Sequence, residues 1–158
     1  MTGVTPTEEI INNIKEMGYI TVRAKTINPS FYKLKDRTII KIQININHLV
    51  EDSKSPQGFT INSTNTAASY VPKENRRPEL YSPFDISDMQ SSIIDEDMKP
   101  EVLQEDFSVY DLSNGMELSI KAVVAQISKS KLYTTDGEPL YAINSSPIFK
   151  VTKNAGSV

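Results

Sequence analysis

From Ile40 to Asn47 the chain alternates without a break: Ile40, Ile42, Ile44 and Ile46 fall on one side, Lys41, Gln43, Asn45 and Asn47 on the other. A period of two over this length cannot form one face of a helix; it demands a strand with one face in a core and one in water. Branched isoleucines favour the same pleated conformation. One strand cannot bury that face alone, so the rest of the chain must provide a second β layer.

The pattern recurs. Tyr32-Lys33-Leu34-Lys35-Asp36-Arg37 aligns with Tyr110-Asp111-Leu112-Ser113-Asn114-Gly115, and at the same spacing Ile40, Ile42 and Leu49 meet Leu118, Ile120 and Ile127. Phe59-Thr60-Ile61-Asn62-Ser63-Thr64 then aligns with Tyr141-Ala142-Ile143-Asn144-Ser145-Ser146, after a length change in the intervening loop. The expected fold is mainly β: a small barrel or two-sheet sandwich from two duplicated strand-turn-strand halves, with an N-terminal amphipathic helix.

That helix is announced by Thr5-Pro6-Thr7-Glu8, a capping box with proline at the first helical position. Ile10, Ile11, Ile14 and Met17 form one apolar stripe, and Gly18 supplies a left-handed stop. The stripe is expected to cover a face or an open end of the β structure. Glu8, Glu9 and Glu16 outnumber Lys15, which disfavours a membrane anchor.

The expected organisation is a helix segment at 1–18, a first β half at 19–71, a Pro-rich acidic connector at 72–106, a second β half at 107–153 and a disordered tail at 154–158. Pro72, Pro78, Pro83 and Pro100 break any long ladder in the connector, and Asp85 to Met98 predicts a short helix lying on the body. Asn114-Gly115 predicts a hairpin with a primed turn, positive in φ at both residues. Ala122-Val123-Val124-Ala125 is apolar on both faces and belongs in the middle of a sheet. Asn62-Ser63 and Asn144-Ser145 read as turn formers.

The chain has no cysteine and one histidine, which removes thiolate, disulfide and iron-sulfur chemistry and leaves few acid-base groups. Glycine-rich phosphate loops and the Gly-x-Ser-x-Gly elbow are absent. No catalytic residue, cofactor or metal is therefore expected; His48 with Glu51 and Asp52 lacks a third firm ligand. No stretch of ~18 apolar residues predicts a membrane span, and Met1 to Pro6 lacks a basic and apolar leader, so a cytoplasmic location is expected.

Two surfaces remain. Asp95, Glu96 and Asp97 in the connector would dock a basic protein partner. Arg23, Lys25, Phe31, Tyr32, Lys41, Gln43 and Asn45, if brought to one exposed face, would offer charge, amides and a stacking ring, the chemistry of a single-stranded nucleic-acid-binding small β-barrel. The net charge of -3 weighs against nucleic acid. The leading expectation is a non-enzymatic protein-interaction or scaffold module that binds a protein partner, or itself as a homo-oligomer, through sheet edges or the connector. The alternatives are the nucleic-acid barrel and a small-molecule-binding protein or enzyme, which needs a preformed apolar pocket with converging polar groups.

Overall fold

The computed structural model describes residues 5–153; the tail at 154–158 lies outside the described residues. Helix α1 (Pro6–Glu16) is followed by β1 (Tyr19–Ile20), β2 (Val22–Thr26), β3 (Ser30–Lys33), β4 (Ile39–Glu51) and β5 (Phe59–Tyr70). After a connector of short 3-10 turns come β6 (Ile93–Asp95), β7 (Glu101–Gln104), β8 (Ser108–Leu112), β9 (Met116–Tyr133) and β10 (Pro139–Lys153). They form two curled antiparallel sheets, a half-barrel with the core between them.

The capping box forms as predicted: the Thr5 hydroxyl accepts the Glu8 N–H at 3.1 Å, and the Glu8 carboxylate accepts the Thr5 N–H at 3.0 Å. Gly18 has φ 93°. The helix does not cover the β structure, however. None of its residues is buried, and Ile10 and Met17 stand 58% and 72% exposed. It packs chiefly against β1, and a two-residue strand is too small to cover an apolar stripe.

In the first sheet β4 lies between β5 and β3, β1 pairs with the far end of β4, and β7 adds to the outer edge of β3. In the second, β9 lies between β10 and β8, β6 pairs with the far end of β9, and β2 adds to the outer edge of β8. The predicted central strand, which carries Ala122 to Ala125, is thus interior. Each half also lends one strand to the other's sheet: β2 crosses to β8, and β7 crosses to β3.

Registers repeat residue by residue. Tyr32 faces Ile40 where Tyr110 faces Leu118, and Ser30 faces Ile42 where Ser108 faces Ile120. The buried core consists of matched residues as well: Ile20 with Met98, Tyr32 with Tyr110, Leu34 with Leu112, Ile40 with Leu118, Ile42 with Ile120, Ile44 with Ala122, Leu49 with Ile127, and Phe59 with Tyr141. Because every pair shares one spacing, or the same spacing after the loop length change, the two sheets present equivalent faces to each other.

Bulges set the curl. Asn47 is the extra residue between Ile46 and His48 opposite Ser63 and Asn62, and Ala125 takes the matching place opposite Ser145 and Asn144. One extra residue shifts the inward side from even to odd numbers, which is why Leu49 follows Ile46 into the core. The two Asn-Ser pairs are therefore not turn formers. They sit in mid-strand opposite the bulges, and Asn62 Oδ1 accepts a bond from Asn47 Nδ2 at 2.8 Å.

The hairpin turns also match, though not in the predicted form. Gly115 has φ 84° but Asn114 is not left-handed, and the Gly115 N–H donates to the Leu112 carbonyl at 3.1 Å. This is an ordinary turn followed by one left-handed residue, not a primed turn. Asn114 Oδ1 accepts the Met116 N–H as Asp36 Oδ1 accepts the Thr38 N–H. Arg37, with φ 72°, occupies the glycine position of the first turn. Gly115→Ala is expected to cost about 1 to 2 kcal/mol, whereas Arg37→Gly relieves the same strain less the extra entropy of an unfolded glycine, a gain of about 0.5 kcal/mol. Urea unfolding of both variants checks the opposite signs.

The connector predicted at 72–106 holds two strands in its second part, β6 and β7. Asp85 to Met98 is not one helix but two 3-10 turns, Ile86–Asp88 and Gln90–Ser92, running into β6. Its first part folds against the tip of the second hairpin: the Arg77 N–H donates to the Gly137 carbonyl at 2.8 Å, and a Cβ on Gly137 would lie 2.3 Å from the Pro78 nitrogen.

Candidate functional site

The basic and aromatic residues singled out in the sequence are divided between sheets. Lys41, Gln43 and Asn45 share the outer face of β4, half-buried, with Phe31 directly opposite Lys41. Arg23 and Lys25 lie on β2 in the other sheet, because β2 pairs with β8 and not with β4. Each is engaged there, Arg23 with Asp111 at 3.4 Å and Lys25 with Glu117 at 3.1 Å.

Tyr32 points into the core, 1% exposed, so it offers no ring to a base. Its hydroxyl donates to Glu105 at 2.6 Å, with the Ala122 carbonyl 3.2 Å away. Burial and the Glu105 carboxylate push that hydroxyl up to about 12. Alternation would have assigned this, since Tyr32 shares the parity of Leu34 and Phe31 does not.

Asp95 and Asp97 bond the local backbone and the first hairpin turn, while Glu96 is exposed. Asp95 pairs with Lys35, and its Oδ1 accepts the Asp97 N–H at 3.1 Å; both hold it below the usual carboxylate range. Asp97 Oδ1 accepts the Lys99 N–H at 2.8 Å. The Glu96 carbonyl accepts from Gln126 and Ser128 of β9. His48 sits exposed beside the Asn47 bulge, edge-on to Tyr19 with centroids 5.4 Å apart. Among the described residues no group of three or more His, Cys, Asp or Glu side chains is placed to hold a metal ion, and no helix is long and apolar enough to cross a membrane.

The structure brings together a polar cluster that the sequence did not announce. The Tyr141 hydroxyl donates to Asp36 Oδ2 at 2.6 Å and lies 3.0 Å from the Thr38 hydroxyl, while Lys129 Nζ donates to the same carboxylate oxygen at 3.3 Å. Burial alone would raise the Asp36 carboxyl, but bonds from Tyr141, Thr38 and Lys129 outweigh it and hold the group below its ordinary value. The Tyr141 hydroxyl is pushed far up by burial and by Asp36. Asn75 of the connector donates to the Asp36 carbonyl at 2.7 Å, and Glu74 pairs with Arg37. With Thr38 and Tyr141 buried, this is a clasp that holds the connector onto the first hairpin turn.

No family model, curated protein or solved structure matches the chain.

At the matched positions of the second turn, Asp36, Thr38, Lys129 and Tyr141 are replaced by Asn114, Met116, Glu51 and Phe59. One end holds the Asp36 cluster and is closed by the connector; at the other, Met116 and Phe59 stand where Thr38 and Tyr141 bond the carboxylate. Between them run β5 and β10, each with a partner strand on one side only. These two lips of the half-barrel meet through Asn65 Nδ2 and Ser145 Oγ at 3.4 Å. Beyond that contact, on the side of the β4–β5 turn at Pro56 and Gln57, they part into a groove of about 560 Å³ lined by Pro56, Gln57, Ile61, Met116, Phe149 and Val151.

Proposed function

We propose that the chain is a non-enzymatic protein-interaction module that binds extended segments by strand addition. The observation that carries this reading is the pair of free edges. β5 and β10 are 12 and 15 residues long, each bonded along one side, and neither Phe59–Tyr70 nor Pro139–Phe149 contains a charged residue. Free edges are ordinarily guarded by charge, brevity or cover, since their open N–H and C=O groups template another strand. Here β5 carries no charge or proline, and β10 carries Pro147 and, towards its end, Lys150 and Lys153. Thr64 to Ala68 and Ser146 to Lys150 are moreover exposed on both faces, which leaves room above and below an added strand.

Hydrogen exchange of the full chain tests this reading in dilute solution, at high concentration, and with peptides selected on it from a random display library. Slowed amides within β5 or β10 are expected in at least one of the latter two conditions. Unchanged exchange along both strands in all of them would reject the reading.

We also infer that the halves descend from one duplicated unit. The repeated registers, the matched core pairs and the two bulges at equivalent places support this. If the core is still equivalent in the two halves, truncation of the similar pair Leu49 and Ile127 should have costs of similar size.

A further inference from the structure

We infer that the β8–β9 turn is a site of covalent self-modification: Asn114 loses its side-chain amide to the backbone nitrogen of Gly115 and becomes an acid while the chain stays folded.

Of the 6 glycines in the chain, only Gly115 follows an asparagine. Asparagine is a thermolabile residue. A following glycine, having no Cβ, leaves its backbone nitrogen open to approach by the side chain before it.

The turn directs that approach. Asn114 is exposed, and its Oδ1 accepts the Met116 N–H at 3.0 Å. A bond to the second N–H along the chain folds the carboxamide back over the intervening Gly115 nitrogen. When that nitrogen attacks, negative charge develops on the same Oδ1, and the Met116 N–H is already in place to stabilise it. The Gly115 N–H donates to the Leu112 carbonyl at 3.1 Å at an exposed hairpin tip, and local opening of this bond frees the proton that must leave.

The Gly115 nitrogen gives its proton to hydroxide and bonds to Asn114 Cγ; the Cγ–Nδ2 bond breaks, and ammonia leaves with a proton from water. The cyclic imide then adds water. Addition at Cγ restores the main chain and leaves aspartate, whereas addition at the main-chain carbonyl leaves isoaspartate, with the backbone rerouted through Cγ. The net change converts asparagine and water to an acid and ammonia, with nothing oxidised or reduced.

The first hairpin turn shows that one product fits. Asp36 stands at the matched position, and its Oδ1 accepts the Thr38 N–H at 3.1 Å, so aspartate at 114 keeps the bond that Asn114 makes now. The rerouted isoaspartate backbone has no such counterpart and breaks the closure of the turn between Leu112 and Gly115. The β9–β10 turn shows what blocks the reaction. Asp136-Gly137 forms the same imide by losing water, and Gly137 also has φ 84°. There, however, the glycine is buried, its N–H donates to the Thr134 carbonyl at 2.9 Å, its carbonyl accepts the Arg77 N–H at 2.8 Å, and Pro78 lies against it. The connector clamps that peptide and spares Asp136.

The full chain, incubated at mildly alkaline pH and then mapped by peptide mass spectrometry with enzymatic methylation of isoaspartate as a second readout, provides the test. Asn114 should convert about tenfold or more faster than any other asparagine, at a rate unchanged by urea below the unfolding transition. Asn114→Gln should lose the isoaspartate signal, and Asp136 should not isomerise. A rate that climbs with urea in step with the unfolded fraction would place the reaction in the unfolded chain and overturn the inference. So would an Asn114 that stays intact in the folded protein, or isomerisation of Asp136 as fast as conversion of Asn114, which would show that the turn does not choose the site.

Discussion

Leu49→Ala is expected to lower the stability of the protein by about 3 to 4 kcal/mol, and Ile127→Ala by the same amount within about 1 kcal/mol. Both side chains are fully buried, both follow a bulge that turns them into the core, and each is the matched residue of the other. The cost combines lost transfer free energy with a cavity that close-packed neighbours fill only in part. Neither variant should unfold one half ahead of the other. β2 and β7 each bond into the opposite half's sheet, so no half can lose its core and leave the other's ladder intact. Urea titrations followed by circular dichroism and by tyrosine fluorescence should therefore superimpose in a single transition. Two transitions, or costs that differ by more than about 2 kcal/mol, would contradict the two-fold equivalence of the core.

The alternation from Ile40 to Ile46 and its recurrence at Leu118 and Ile120 made the strands and most of the core pairs legible, because a period of two reports which side chains share a face. It does not report which strand lies next door. That is why Arg23 and Lys25 read as neighbours of Lys41 but stand in the other sheet. The strand at Glu101–Gln104 was hidden for another reason: at four residues, with Val102 and Leu103 adjacent, it carries no alternation. Only its spacing from Ala24 betrays it, since Val102 faces Tyr32 as Ala24 faces Tyr110. The bulges left one trace, the change of parity between Ile46 and Leu49, repeated between Val124 and Ile127. The open groove could not be read at all, since Ile61, Met116 and Phe149 converge only once both sheets are in place.

The Asp36 clasp is the extreme case of such long-range assembly, and its removal should be felt strongly. Asp36→Ala is expected to cost about 2 to 4 kcal/mol, because it deletes three bonds to a largely buried carboxylate and leaves Lys129, itself only 22% exposed, without its partner. Asp36→Asn copies Asn114 from the matched turn and retains an oxygen for the Thr38 N–H, so about 1 to 2 kcal/mol is expected there. The pH dependence separates loss of charge from loss of shape. The folded-state carboxyl lies below its ordinary value, so its contribution is complete above the unfolded pKa of about 4 and disappears as pH falls through the lower folded value. The stability gap between the wild-type chain and Asp36→Asn should accordingly hold steady from pH 7 to pH 5 and shrink below about pH 4. At the other extreme the raised Tyr141 hydroxyl contributes fully below about pH 10 and less as the solution becomes more alkaline. If the acid-side gap stays constant down to pH 2.5, the Asp36 charge contributes nothing, and the connector is held by the Asn75 side-chain amide on the Asp36 carbonyl, the Arg77 N–H on Gly137 and the Glu74–Arg37 pair.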